Sequence, residues 1–299
     1  MKLRRWILIA IVAAAFAGSD ALKRNLAVRP EAPVGPPGGA ARIVSLAPSI
    51  TEVLFELGLG DRVVGVTRYC VFPPEARAKP RIGGYYDPNY EAISAARPDL
   101  AVVLPEHAEI RKELEHLGLK TLTVDHTRVP GILASIRLIG DACGVPEKAA
   151  LLHARLDARI RNVGTRTRGR PKPRVLISIG RMAGDVSMNR ITVCGRKGFF
   201  EELIELAGGV NAFEGGIAFP SLSAEGLLQT NPDVIVDLWP DLKEKNLDAE
   251  KVRSQWSSIP GLKARIHVIG ESYAMIPGPR VVLLLEDLAR AFHPGAMND

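Results

Sequence analysis

The sequence predicts an α/β protein of two lobes, each built on parallel sheet, with one long helix joining them. Three observations predict it. Short apolar runs that suit buried strands alternate with segments of helical spacing. A stretch of some 20 residues near the middle, free of proline, breaks this alternation. A pattern of glutamate, Pro-Asp and apolar strand occurs once in each half.

The elements follow in order. Arg42-Ile-Val-Ser-Leu46 is a short apolar run ending in a turn signal, as a buried strand does. Ile50, Val53, Leu54 and Leu57 then fall at helical spacing, closed by Gly58 and Gly60. Residues 63–66, 100–104 and 121–124 are further strands, and 108–117 is a helix between the last two. Strand–helix alternation at this spacing implies βαβ units and parallel pairing. Pro146 is suited to open a helix, because its missing N–H has no partner there in any case. A helix over 147–168 would run about 30 Å at 1.5 Å per residue, and Pro171 and Pro173 stop it. Strands resume at 175–179, 234–237 and 266–269. The expected organisation is a signal peptide or anchor over 1–21, a flexible leader over 22–41 and a first lobe over 42–145. A linking helix over 146–170 and a second lobe over 171–294 complete it.

The repeat supports two related lobes. Glu91 stands seven residues before Pro98-Asp99, and Glu225 seven residues before Pro232-Asp233. Each intervening segment suits a short helix with the glutamate in its first turn, where the helix dipole favours it.

The N-terminus reads as an address. Lys2, Arg4 and Arg5 precede an apolar run from residue 6 to 17, and Ala15-Phe-Ala17 offers the small residues that a signal peptidase reads. The run is shorter than the roughly 20 residues of a spanning helix. Export to the periplasm is expected, with an uncleaved anchor as the alternative.

Composition narrows the function. The 299 residues are 46% hydrophobic and 24% charged, which fits a globular chain with a sizeable core. The net charge is +6, and half of it lies in the first five residues. Basic residues are not interleaved with aromatics, so no nucleic-acid partner is expected. Three cysteines without a CxxC pair exclude a fully paired disulfide framework. The chain has no GxxxxGK[ST] phosphate loop and no GxSxG elbow, which argues against nucleotide chemistry and serine hydrolysis.

Several segments together resemble a known family. They are Arg42-Ile-Val-Ser-Leu-Ala-Pro-Ser-Ile-Thr-Glu52, Val63-Val-Gly-Val-Thr-Arg-Tyr-Cys-Val-Phe-Pro-Pro-Glu75, Ile93-Ser-Ala-Ala-Arg-Pro-Asp99 and Pro277-Gly-Pro-Arg280. In order and spacing they are similar to the periplasmic binding proteins for vitamin B12 and ferric siderophores, over roughly residues 42–294. The resemblance implies two Rossmann-like lobes on a rigid backbone helix, with ligand held between them. It also implies delivery to an ABC permease in the cytoplasmic membrane, and assigns Glu91 and Glu225 to docking there. Tyr69 and Tyr85 match positions that carry aromatics against a corrin face, and Tyr273 lies near another. Around Tyr273 the polar groups of the cobalamin binders are missing.

Loops at the C-terminal ends of strands form the mouth of such sheets. With the resemblance, this selects Tyr69, Tyr85, Tyr86, His107, Arg181 and Tyr273 as ligand-binding candidates. Aromatic rings suit a flat macrocycle, and arginine suits an acidic group on it. Tyr85, Tyr86, Asp87, Glu106 and His107 form a second set, plausible ligands for Fe(III) by hardness. The reading is a monomeric, non-enzymatic carrier of a corrinoid, ferric siderophore or haem-like chelate. It has no intrinsic cofactor, catalytic residue or protein-bound metal. The alternative is an exported or anchored chelatase-like enzyme using His107 or His126, or a ligand sensor.

Overall fold

The computed structural model describes residues 39–180, 188, 190–240, 242 and 246–297. The N-terminal segment, most of the leader and Arg181 lie outside these residues. The chain forms two compact units. The first holds the described residues up to Val124 and returns for Ile139–Pro146. The second holds Asp125–Leu138 and the chain from Glu147 onward.

In the first unit, strands β1 (Ile43–Ser45), β2 (Val63–Val66), β3 (Leu100–Val103) and β4 (Thr121–Thr123) form one sheet. Its order is β2-β1-β3-β4 and every pair is parallel. Helix α1 (Pro48–Glu56) carries the chain from β1 to β2. It opens on Pro48 after an extended Ala47, the position where a proline costs no hydrogen bond. Helix α2 (Tyr90–Ala95) precedes β3, and α3 (Ala108–His116) crosses from β3 to β4. Val44, Leu46, Ile82, Ile93, Val103 and Leu114 pack one face of the sheet. After β1 the chain goes first to β2 on one side and then to β3 on the other. That reversal opens a crevice beyond the carboxyl ends of the strands.

The second unit has β5 (Arg174–Gly180), β6 (Ile191–Val193), β7 (Val210–Asn211), β8 (Ser221–Leu222), β9 (Val234–Leu238) and β10 (Arg265–Ile269). The sheet runs β10-β9-β5-β6-β8, with β7 also on β5. It is parallel through β10, β9, β5 and β7, but β6 pairs antiparallel with β5 and with β8. The all-parallel expectation therefore fails at this side. The ten residues between Gly180 and Ile191 are fewer than the dozen or so that a parallel crossover needs. Helices α4 (Val129–Ala142) and α5 (Pro146–Thr167) link the units in sequence. The 22-residue α5 buries Ala149, Leu152, Leu156 and Val163 along one stripe, the 3.6-residue period of an amphipathic helix. Helices α6 (Phe199–Leu206), α7 (Ala224–Thr230), α8 (Ala249–Trp256) and α9 (Val281–Phe292) complete the unit. Arg159 of α5 donates Nε and Nη2 to the two oxygens of Glu286 of α9, each at 2.9 Å. Among the described residues no helix is long and apolar enough to cross a membrane.

Candidate functional site

The loops at the carboxyl end of the first sheet bring four of the candidates to one unit. β2 ends at Val66, and the turn from Thr67 to Cys70 closes by a Cys70 N–H to Thr67 O bond of 3.1 Å. Its tip exposes Tyr69, at 55% of its surface. The Arg68 guanidinium lies 5.8 Å from the Tyr69 ring centroid, within cation–π range.

A second loop carries Tyr85 and Tyr86. Gly83 and Pro88 form an antiparallel bridge at its base, and Gly84 N–H donates to Asp87 O at 3.0 Å. Gly83 has φ +101°, and a Cβ there would collide with the backbone from Asp87 to Asn89. Glycine is required by the tightness of this turn. Arg68 pairs with Asp87 across the loop. Tyr86 stands out with 72% of its surface exposed.

His107 ends a 3₁₀ turn, Pro105–His107, that follows β3. It is 1% exposed. Its Nδ1 accepts the Leu104 N–H at 3.2 Å, so the proton of the neutral ring sits on Nε2. Nε2 has no hydrogen-bond partner among the described residues. Burial lowers the His107 pKa below the usual histidine value, against the opposing pull of Glu106. The ring packs edge-to-face with Tyr85 at 4.5 Å between centroids and with Tyr86 at 6.2 Å. The two tyrosines meet each other at 4.8 Å in the same manner. Tyr85 donates its hydroxyl to Glu106 Oε1 at 2.6 Å. Burial raises its pKa, and the Glu106 hydrogen bond and charge raise it further. The phenol therefore stays protonated at neutral pH.

Tyr85, Tyr86 and His107 thus form one aromatic cluster, with Tyr69 in a neighbouring loop of the same unit. Glu106 and Asp87 are engaged by Tyr85 and Arg68. Among the described residues no group of three or more His, Cys, Asp and Glu side chains is arranged to hold a metal ion. The iron-ligand set considered from sequence is organised instead as an aromatic face with an ion pair at its edge. Val71, 38% exposed beside Tyr69, was missed; a lone valine in a loop carries no sequence signal of its own.

Tyr273 belongs to the second unit. It lies in the 3₁₀ turn Ser272–Met275 and donates its hydroxyl to Asp287 Oδ2 at 2.5 Å. With His267, Glu271, Asp287 and Arg290 it lines a depression of about 400 Å³. Burial raises the Asp287 pKa, opposed by Tyr273 and Arg290. Ile217 and Phe219 are the large apolar side chains most exposed in the loop before β8, at 63% and 54%. His126 is buried, with Nε2 2.8 Å from Ser135 Oγ.

Glu91 and Glu225 are both exposed in the first turns of their helices. The N-cap Asn89 accepts from Ala92 N–H at 2.9 Å, and the N-cap Ser223 from Gly226 N–H at 3.1 Å. Each glutamate is the second residue after its cap.

Comparison with known proteins adds the lineage. A vitamin B12-binding protein of Salmonella choleraesuis is 26% identical over 84% of this chain and 90% of its own. An uncharacterised ABC transporter substrate-binding lipoprotein of Bacillus subtilis (strain 168) is 28% identical over 86% of this chain and 82% of its own. A periplasmic heme-binding protein from Roseiflexus sp. RS-1, solved in apo form, is 28% identical with a TM-score of 0.71, covering 87% of this chain and all of that one. The vitamin B12-binding protein of Vibrio cholerae shares the fold with a TM-score of 0.70 at 22% identity, over 86% of this chain and 98% of its own. The periplasmic binding protein family matches residues 43–266. With two α/β units in that span, the chain belongs to the periplasmic binding protein family.

Proposed function

We propose that this chain is the exported substrate-binding component of an ABC importer, and that it captures a metal chelate of the corrinoid, haem or ferric siderophore class. The single observation that carries the ligand reading is the Tyr85–Tyr86–His107 cluster at the carboxyl ends of the first sheet. Exposed aromatic rings bury well against a flat macrocycle. His107 is buried and backs both tyrosine rings edge-to-face, which holds the apolar face in shape. Tyr69 extends the apolar area of this unit, and Tyr273 and Arg181 remain ligand-binding candidates. The metal arrives inside the chelate. Relatives named for vitamin B12 and heme support this class.

Delivery uses Glu91 and Glu225, one on each unit, against the permease in the cytoplasmic membrane. The carrier acts as a periplasmic monomer and performs no catalysis. Native mass spectrometry and absorbance titration with cyanocobalamin, hemin and ferrichrome test the reading. A one-to-one complex with at least one of them is expected. Complex formation with none would overturn the ligand class, and a chemically altered chelate would overturn the carrier assignment.

A further inference from the structure

The two glutamate-bearing helices also match at their other ends. α2 runs out through Ala96 and Arg97, and α7 through Thr230 and Asn231. Arg97 and Asn231 both adopt left-handed φ, 45° and 46°, which residues other than glycine seldom do. Pro-Asp follows each. In the first unit Arg42 Nε donates to Arg97 O at 2.9 Å, and Nη2 to Ala96 O at 2.5 Å. In the second unit Arg174 Nε donates to Asn231 O at 3.3 Å, and Nη2 to Thr230 O at 3.0 Å. The same two nitrogens meet the same two carbonyl positions. The backbone repeats the match. Arg42 N–H donates to the Asp99 carboxylate at 3.0 Å, and Asp99 N–H returns to Arg42 O at 2.9 Å. Arg174 N–H donates to Asp233 at 2.8 Å, and Asp233 N–H returns to Arg174 O at 2.8 Å.

We propose that Arg42 and Arg174 are positioning residues for permease docking, each clamping the carboxyl end of the short helix whose first turn presents a docking glutamate. This rests on the docking reading of Glu91 and Glu225. Helices of six and seven residues do not hold themselves in water, and their last carbonyls have no partners within the helix. A guanidinium there binds the carbonyls of the C-cap residue and one neighbour and places a cation at the negative end of the dipole. Each arginine stands at the start of its unit's first strand, so it ties the helix to the sheet. The side-chain cap at the other end fixes the turn that carries the glutamate. The direction of each carboxylate is then set from both ends. Arg62 through Nη1, and Arg265 through Nη1 and Nη2, also donate to carbonyls near the ends of α4 and α9, without the Nε–Nη2 pairing. Those helices have 14 and 12 residues and rely less on one clamp.

The test uses the full chain and the ABC permease of its importer in lipid nanodiscs. The readout is the carrier concentration giving half-maximal stimulation of ATP hydrolysis, measured well below the unfolding temperature. Cyanocobalamin and hemin affinities are measured alongside. Arg42→Gln and Arg174→Gln should each raise that concentration about tenfold, the scale of one misplaced charge pair, and leave chelate affinity within about twofold. Arg42→Gln should add nothing in a Glu91→Gln background, nor Arg174→Gln in a Glu225→Gln background, because a positioning residue acts through the group it positions. Additive losses, or unchanged docking in the arginine variants where the glutamate variants weaken it, overturn the clamp alone. Unchanged docking in the glutamate variants overturns the docking reading first. Should Arg42→Gln not fold, Arg42→Lys keeps the charge but not the fork. Faster amide exchange confined to residues 92–97 together with weakened docking is then expected, and the absence of both overturns the proposal.

Discussion

His107 illustrates how one buried ring sets the chemistry of the face around it. With Nδ1 committed to the Leu104 amide and burial lowering its pKa, the ring is neutral and its Nε2–H is enclosed. Sequence identified this histidine and both tyrosines by their place after strands. It did not reveal that His107 is buried or that Tyr85 is bound to Glu106, because those facts depend on a partner 21 residues away. Tyr86→Ala should weaken chelate binding roughly five- to tenfold, as expected for loss of an aromatic contact, measured by titration calorimetry. His126 gives a second prediction. Its pKa is lowered to about 4 from 6.5 because the ring is buried, although Asp125 opposes this. Between these values the unfolded chain holds a proton that the folded chain lacks. Stability should be level above pH 6.5 and fall toward pH 4, by a total on the order of 3 kcal/mol from this residue. Urea unfolding across that range should show a flatter profile in His126→Gln; an unchanged profile would assign the acid sensitivity elsewhere.

At the scale of elements, legibility followed burial and length. The strand expected at 63–66 and the helix expected at 108–117 agree with β2 and α3 within one residue. The long helix was marked by its proline-free interior and is α5. These elements have buried faces and therefore regular apolar periods. β7 and β8 have two residues each and β6 three. Runs so short carry no period, and the antiparallel side of the second sheet was unreadable for that reason. The paired short helices were legible from the Glu and Pro-Asp spacing, yet their arginine clamps were not, because Arg42 and Arg174 lie 57 and 59 residues before the aspartates they meet. The caps yield a direct prediction. Asn89→Ala and Ser223→Ala each remove an acceptor for a first-turn amide, and each should cost about 1 kcal/mol. Thermal unfolding should register both as lower midpoints, and a wild-type midpoint in either variant would show that solvent replaces the cap without loss.

Across the whole molecule, capture and delivery rest on different forces. Capture is assigned to aromatic rings whose contribution is burial of apolar area, which responds weakly to salt. Delivery is assigned to two exposed carboxylates on a chain whose net charge is +6, half of it from Lys2, Arg4 and Arg5, so the negative signal is local. Attraction of this kind acts over the Debye length, which shrinks from roughly 14 Å at 0.05 M salt to roughly 4 Å at 0.5 M. Cyanocobalamin affinity should therefore stay within about twofold over that range, while the carrier concentration for half-maximal permease stimulation rises several-fold. The double variant Glu91→Ala, Glu225→Ala should start from weak stimulation and lose most of its salt response, with cyanocobalamin affinity intact. A salt response equal to that of the unsubstituted chain would mean that other charges dock the carrier. A parallel loss of cyanocobalamin affinity would mean that capture and docking share residues, contrary to their assignment to strand-end loops and to α2 and α7.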